Sequence, residues 1–179
     1  YNANRFAQAA RFYNLISDED DPRATPKETW RYLGKSLLAD GKAEEALPSI
    51  DHALEVEDNL FWKTDGLLDK SKALLALGRL DEAAKVAEEC QNLRPEGRVN
   101  SEIRLVIGDI WMKRNNPAEA AKEYVAVATI LLDDNDKVLK PLAMWKLIKA
   151  LDAKGDKADA EQYRNQLQEK YPSWQAPKE

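Results

Sequence analysis

The sequence predicts an all-α protein built from repeated antiparallel helix pairs, and three observations lead to this prediction. A small residue recurs at intervals of 37 residues, with a last interval of 40, inside similar surroundings. Repeat proteins show such a spacing, and a single globular core would not impose it. Apolar residues fall three and four positions apart, as in amphipathic helices, and no segment alternates like a strand. The recurring residues are Ala9, Ala46, Ala83, Ala120 and Ala160.

The first element is predicted over residues 1–21, as the second helix of a truncated repeat. The positions typical of a second helix are filled by Phe6, Ala9, Tyr13 and Ile16. No first helix precedes them and the chain opens with Tyr rather than Met, so we expect a fragment cut inside a repeat, with any signal peptide upstream. The aromatic side chains here would lack their natural neighbour, and we therefore expect self-association through residues 1–17.

Four full repeats are predicted to follow, over residues 27–60, 64–97, 101–134 and 141–174, with a polar tail at 175–179. The most complete copy carries Trp30, Leu33, Gly34, Leu37, Gly41, Ala46, Ile50 and Ala53. This pattern resembles the tetratricopeptide repeat, a helix–turn–helix unit of about 34 residues. The resemblance implies a right-handed superhelix of antiparallel helix pairs, whose first helices line the concave face. The copies here are longer than the family's unit, the tryptophan position is kept once, and Arg164 stands where an aromatic residue is usual.

Small and turn-forming residues stand where such helix pairs need them. A left-handed residue is predicted to end each first helix, at Gly41, Gly78, Asn115 and Gly155. Close approach of helix axes is predicted at Gly34, Ser71 and Gly108.

Helix starts are predicted from candidate capping boxes, in which a side-chain oxygen accepts hydrogen bonds from the first turn. The candidate pairs are Thr25 with Glu28, Asn116 with Glu119, and Asp156 with Asp159, and a first-turn proline follows two of the caps. The polar segment 157–170 is expected to form the terminal capping helix of the array.

Composition narrows the range of partners. The chain has 179 residues and a net charge of −5, which argues against a nucleic-acid surface because phosphate binding needs a concentrated basic stripe. The sequence contains no apolar run long enough to span a membrane. Cys90 is the one cysteine, so no internal disulfide is possible, and its core position predicts a buried structural thiol.

The sequence does not predict an enzyme, a metal site or a cofactor. His52 is the one histidine and is expected on a solvated outer part of a second helix. No Cys/His cluster has zinc spacing, and no glycine-rich loop follows a strand. Neighbouring carboxylates are expected to be solvated rather than catalytic or calcium-binding, at Glu44 and Glu45, at Glu88 and Glu89, and at Asp133, Asp134 and Asp136.

The first helices carry the candidate binding residues, since the resemblance places them on the concave face. Equivalent positions form rows of acidic, apolar, basic and apolar character, which would suit an amphipathic helix or extended peptide. The alternative is that the leucines pack between helices and the charges are solvated. Trp145 and Met112 are the best candidates for true contacts. The predicted partner-binding residues are Arg31, Lys35, Leu38, Leu68, Lys72, Leu75, Leu105, Asp109, Met112, Trp145 and Lys149.

Two functions remain open at this stage. The first is a non-catalytic scaffold that binds a protein or peptide. The stretch Gln168 to Pro172 is weakly similar to bacterial envelope proteins of the Tol–Pal coordinator and outer-membrane assembly type, which favours the periplasm over the cytoplasm. The second is a regulatory or targeting module of a larger enzyme or signalling protein. The basic and asparagine positions by which related repeats hold chaperone C-termini are not kept here, since they carry Asp69, Glu102 and Val106.

Overall fold

The computed structural model describes residues 3–18, 20–21, 24–133 and 135–177, and every regular element in these ranges is helical, as predicted. The predicted start at Tyr1, the acidic Asp134 and the end of the polar tail lie outside the described residues. The helices are α1 (Ala3–Ile16), α2 (Lys27–Ala39), α3 (Ala43–Glu55), α4 (Leu60–Ala76), α5 (Leu80–Asn92), α6 (Gly97–Lys113), α7 (Pro117–Ala126), α8 (Leu139–Lys154) and α9 (Lys157–Lys170). A π-helical turn, Val127–Leu131, extends α7.

The helices fall into two compact units, Tyr1–Pro95 with α1–α5 and Glu96–Glu179 with α6–α9. In unit 1, α2 packs on α3 and α4 packs on α5, while α1 lies against α2 and α3 against α4. In unit 2, α6 packs on α7 and α8 on α9, and α7 also contacts α8. A short turn joins the two helices of each pair, so these two helices run antiparallel. The first helices α4, α6 and α8 begin before the predicted repeat boundaries at 64, 101 and 141.

The recurring alanines lie where helices come closest. Ala46, Ala83, Ala120 and Ala160 have no exposed surface, whereas Ala9 is half-buried. Gly34 and Gly108 also confirm the close approach: a Cβ at Gly34 would come within 2.6 Å of Ile50 Cγ1. At Gly108 it would come within 2.3 Å of the Tyr124 ring. Ser71 is fully buried and donates a hydrogen bond to the Ala83 carbonyl at 3.2 Å.

The turns that end the first helices are those predicted from glycine and asparagine. Positive φ angles occur at Gly41 (81°), Gly78 (72°), Asn115 (56°) and Gly155 (94°). L-residues other than asparagine rarely adopt this conformation, so these positions fix the short connections between paired helices.

One of the three predicted capping bonds forms and the other two do not, although Asp156 does stand at the N-cap position of α9. Asn116 Oδ1 accepts a hydrogen bond from the Glu119 amide at 3.3 Å. The Thr25 hydroxyl instead accepts from the Asp18 amide at 2.8 Å, and α2 has Pro26 at its cap position. The Asp156 carboxylate forms an ion pair with Lys154 and makes no cap bond.

Two further caps were missed by the sequence reasoning. Asn59 Oδ1 accepts from the amides of Phe61 and Trp62 at the start of α4. Asp136 Oδ1 accepts from the amides of residues 138, 139 and 140 at the start of α8. Burial alone would raise the pKa of Asp136, but these three hydrogen bonds hold it below its usual range. Asp136 therefore has a structural role and is not merely a solvated carboxylate.

Cys90 is fully buried in α5, as predicted, and its Sγ lies 3.4 Å from the Thr64 carbonyl. Burial raises the pKa of its thiol to about 11, so the thiolate is scarce near neutral pH and the residue packs as a small apolar side chain.

Candidate protein-binding surface

In unit 1, a charged cluster fills the space between the start of α2 and the turn before α4. Lys27 Nζ lies 3.1 Å from Glu57 Oε1 and 3.0 Å from Asp58 Oδ1. The Arg31 guanidinium pairs with Glu57 and lies 4.0 Å from the centre of the Trp62 ring. Burial favours the neutral acid, but the amide of residue 59 and the two cations outweigh it and lower the pKa of Glu57.

A second cluster joins α2 to α4 in the same unit. Lys35 Nζ lies 2.6 Å from Asp69 Oδ2 and 2.9 Å from Asp65 Oδ2. Burial raises the pKa of Asp69, and Lys35 opposes this shift by its charge and hydrogen bond. Lys35 therefore compensates a buried carboxylate, and loss of its charge would leave Asp69 buried and uncompensated.

These contacts correct the predicted binding surface of unit 1. Arg31 and Leu68 are buried, so a partner cannot reach them in this conformation. Arg31 was predicted to bind a partner on the concave face, but its guanidinium contacts Glu57 and Trp62. Four predicted residues remain partly accessible, namely Lys35, Leu38, Lys72 and Leu75.

In unit 2, Asp109 joins three helices. The Tyr124 hydroxyl of α7 donates to Asp109 Oδ1 at 2.6 Å, and Lys146 Nζ of α8 lies 2.6 Å from the same oxygen. Burial and the adjacent carboxylate raise the pKa of Tyr124 far above its usual range, so the phenol stays protonated as a hydrogen-bond donor. Asp109 is thus half-buried and internally paired. Leu105 is buried in the core of this unit, which removes it from the predicted surface.

The remaining predicted residues of unit 2 differ in what they contact. Met112 is half-buried against the core. Trp145 is half-buried and lies 6.4 Å from the Trp174 ring, centre to centre. The exposed Lys149 places its ammonium 4.6 Å from the centre of the Trp145 ring. We call Trp145, Lys149 and Trp174 the tryptophan face. Sequence reasoning missed Trp174, although a tryptophan shortly after the last predicted helix, 157–170, was a usable signal.

His52 is not the solvated surface residue that the sequence predicted. Its ring lies 4.9 Å from the Trp30 ring, and Nδ1 lies 3.9 Å from Glu55 Oε2. Among the residues that the structure describes, buried Nδ1 finds no hydrogen-bond partner. His52 also lines a cleft of about 390 Å³ between α1 and the α2–α3 pair, beside Trp30.

Unit 1 also exposes apolar side chains that the row pattern left out. Leu60, Phe61 and Tyr32 are exposed, and the Tyr13 ring stacks on Tyr32 at 5.6 Å with 24° between the ring planes. Tyr32, Leu60 and Phe61 lie outside the repeat's signature positions, so the pattern gave no information about them.

The described residues contain neither a metal-binding cluster nor a helix able to cross a bilayer. Within residues 3–18, 20–21, 24–133 and 135–177, no group of three or more His, Cys, Asp or Glu side chains is placed to hold a metal ion. None of the described helices combines the length and the apolar character that crossing a bilayer requires.

Comparison with known proteins supports the repeat fold. Residues 68–136 match the tetratricopeptide repeat family. The Protein STIP1 homolog of Dictyostelium discoideum is 28% identical over 119 residues, which are 64% of this chain and 20% of that protein. This chain therefore spans about a fifth of the length of that relative.

Two solved structures share the fold. Both are of a putative kinesin light chain with nearly identical TPR-like repeats from Podosopora anserina, and one of the two is a point variant. They match with TM-scores of 0.64 and 0.62 at 15% and 14% identity, and each match covers 94% of this chain and 84% of that chain. The all-helical repeat fold predicted from the residues is confirmed. These comparisons do not bear on an envelope role.

Proposed function

We propose that this protein is a non-catalytic interaction module that binds a peptide or helical segment of a partner protein, with the tryptophan face as the main contact. The observation that carries the proposal is the position of Trp145. Its indole is half-buried, and its ring centre lies 4.6 Å from the Lys149 ammonium and 6.4 Å from the centre of the Trp174 ring. Tryptophan at such a position is typical of the residues that dominate binding energy.

The chemistry of the tryptophan face indicates the kind of segment it would accept. Two indoles offer apolar contact area, and the Lys149 ammonium offers a partner for a carboxylate. We expect a segment with an apolar anchor next to an acidic residue. In unit 1, half-buried Leu38 and Leu75 with Lys72 are the predicted positions of additional contacts.

The experiment is a selection of peptides from a random display library with this chain as bait, followed by titration of a selected peptide. Trp145→Ala is expected to weaken binding by about 30-fold, the equivalent of about 2 kcal/mol. Lys149→Glu is expected to weaken binding of peptides that carry an acidic residue and to remove the salt dependence of that binding.

The matched control is Glu89→Ala on the exposed side of α5, which is expected to leave affinity unchanged. Lys35→Glu is not a clean test, because it would also break the pair with Asp69. Circular dichroism melts of each variant separate loss of binding from loss of folding. Unchanged affinity in folded Trp145→Ala would contradict the proposal.

We propose two alternative cellular roles for this module. A role in a bacterial envelope assembly rests on the similarity of the 168–172 stretch. In the structure Tyr171 of that stretch is buried and faces Lys137 across 5.9 Å. The second proposed role is that of a regulatory or targeting module of a larger enzyme or signalling protein. Fractionation of the source cells distinguishes them, since recovery from the periplasm supports the first and recovery from the cytoplasm the second.

A second copy of this chain is also a proposed partner, through the N-terminal helix, as the sequence predicts. Phe12 is 59% exposed, and Leu15 and Ile16 at the end of α1 are exposed as well. An apolar group of this kind on a polar helix favours contact with another surface.

A further inference from the structure

We infer that the turn between α3 and α4 is a further binding site, which accepts a partner segment whose apolar side chain is flanked by lysine or arginine. The apolar contact is made by Val56, Leu60 and Phe61, which we call the turn patch. The inference goes beyond the proposed function and does not depend on the tryptophan face. It rests on the exposure of these side chains, on the order of the turn and on the charges around it.

The turn patch exposes three apolar side chains within residues 56–61. Val56 is 39%, Leu60 56% and Phe61 60% exposed. Val56 follows the last residue of α3, and Leu60 and Phe61 begin α4. Residues at turns are usually small or polar, because these side chains satisfy or tolerate the turn's backbone. A group of exposed apolar side chains at such a place favours contact with another surface.

The repeat itself does not require apolar residues at the start of α4. Helices α4 and α6 each have 17 residues, and they begin at residues 60 and 97, the 37-residue interval of the repeat. Leu60 and Phe61 therefore correspond to Gly97 and Arg98, which are both exposed. Because the same kind of helix start is built with a glycine and a charged residue, folding alone does not explain the turn patch.

Hydrogen bonds order the turn that carries the patch. Glu57 Oε1 accepts from the amide of Asn59 at 3.0 Å, and the carboxylate of Glu57 also pairs with two cations of α2. Asn59 Oδ1 accepts from the amides of Phe61 and Trp62. The Phe61 ring lies 4.9 Å from the Trp62 ring, with 78° between the ring planes. A partner would thus meet an ordered surface, which lowers the entropy cost of binding.

The exposed charges around the turn patch are acidic. Within residues 51–65, the exposed charged residues are Glu55 and Asp58, whose side chains are 73% and 90% exposed. Glu28 in the first turn of α2 is exposed as well, and its neighbour Lys27 lies 3.0 Å from Asp58. The border of the turn patch therefore favours a partner of positive charge.

The cations near the turn patch do not reverse this preference. Lys27 is half-buried and pairs with two carboxylates, and Arg31 is buried and pairs with Glu57. Lys63 is half-buried and comes two residues after Phe61, which is about 200° around the helix, so it lies on another side of α4. Lysine or arginine beside an apolar anchor is thus the complementary chemistry.

The test is a selection of peptides from a random display library with the whole chain as bait, in which Phe61→Arg removes the peptides that bind elsewhere. Phe61→Arg is expected to fold, because Arg98 stands at the corresponding position of the next repeat. The recovered peptides are expected to carry an apolar residue next to lysine or arginine. Recovery of no peptide that depends on Phe61, or of peptides with acidic residues beside the anchor, overturns the inference.

Titration of a counter-selected peptide by fluorescence anisotropy measures each contribution. Phe61→Arg is expected to weaken binding about 30-fold or more, and Phe61→Leu less than about fivefold, because leucine keeps an apolar contact. Glu55→Lys is expected to weaken binding about tenfold and to reduce its salt dependence. Affinity and salt dependence that Glu55→Lys leaves unchanged would overturn the basic character of the partner.

Matched controls keep the result specific to the turn patch. Glu88→Lys makes the same charge reversal on exposed α5 surface and is expected to leave binding unchanged, and a loss equal to that of Glu55→Lys would contradict the inference. A peptide selected on the tryptophan face is expected to bind Phe61→Arg and the parent equally, so the two sites fail separately. Sedimentation velocity that shows a dimer of the free chain, abolished by Phe61→Arg, would overturn the inference, because a second copy would then cover the turn patch.

Discussion

In each unit, an ion pair joins the first helices of two successive repeats. The two units carry opposite charges at equivalent positions of this pair. In unit 1, Lys35 follows Gly34 and reaches Asp69 of α4 at 2.6 Å. In unit 2, Asp109 follows Gly108 and reaches Lys146 of α8, also at 2.6 Å. The comparison shows that these two positions of the repeat accept an ion pair of either sign.

The two units differ in what surrounds this pair. The residue that packs on the glycine is Ile50 in unit 1 and Tyr124 in unit 2. Tyrosine adds a hydroxyl that donates to Asp109 at 2.6 Å, so the pair of unit 2 belongs to a network of three helices. The pair of unit 1 is instead shared between Asp69 and Asp65 on one helix.

The largest expected effect concerns the core aromatic of unit 1. Trp30 is 1% exposed, and Trp30→Ala is expected to lower the free energy of unfolding by about 3–5 kcal/mol through the cavity it leaves. Urea denaturation followed by circular dichroism measures this loss. A midpoint equal to that of the parent would show that Trp30 does not organise unit 1.

A smaller effect is expected from reversing one ion pair. Lys35→Asp is expected to cost about 2 kcal/mol, because it places a third carboxylate beside Asp65 and Asp69. Combination with Asp69→Lys is expected to recover more than half of that loss, since these positions accept an ion pair of either sign. A double-mutant cycle in urea provides the measurement. No recovery in the combined variant would contradict the comparison between the units.

The third prediction concerns the Tyr124 hydroxyl, which occurs in unit 2 only at the position that Ile50 occupies in unit 1. Tyr124→Phe keeps the ring on Gly108 and removes the hydroxyl, so a loss of about 1 kcal/mol is expected in urea denaturation. Asp109 keeps its pair with Lys146, which limits the loss. A loss as large as that of Trp30→Ala would mean that the hydroxyl, not the ring, holds α7 to α6.

The smallest expected effect is a pH dependence in unit 1. Glu57 has a pKa below its ordinary value of 4.5, so its stabilising contribution is complete above 4.5 and is lost as pH falls through the lower folded value. The difference in stability between the parent and Glu57→Gln is therefore expected to be constant near neutral pH and to shrink below 4.5. Urea midpoints at successive pH values measure it. A difference that grows on acidification would contradict the sign of the shift.

The fold was predictable because backbone geometry is encoded in residue size. Only small residues fit at Gly34 and Gly108, and left-handed turns at Gly41 and Gly155 select glycine. Such requirements act position by position and remain visible in one sequence. Caps were less predictable, because the Thr25 hydroxyl accepts a hydrogen bond from the Asp18 amide and not from an amide in the first turn of α2.

The candidate surface was predictable only in part. The row pattern assigns a residue to a helix face, but it does not show whether a neighbouring side chain covers that face. Leu68 and Leu105 are covered by packing, and Arg31 is drawn back by Glu57, which lies in a turn outside the repeat's signature. Trp145 was predicted as an aromatic contact on the first helix of its repeat. The position of Trp174 beside it depends on how the segment after α9 folds, which the repeat pattern does not describe.

Mapping a selected peptide onto the protein by amide hydrogen exchange tests the central claim most directly. When the peptide is bound, we expect slower amide exchange on α8 around Trp145 and Lys149 and in the segment that carries Trp174. Exchange in α5 and α9 is expected to be unchanged. Protection confined to α5 or α9, with α8 exchanging as in the free protein, would contradict it.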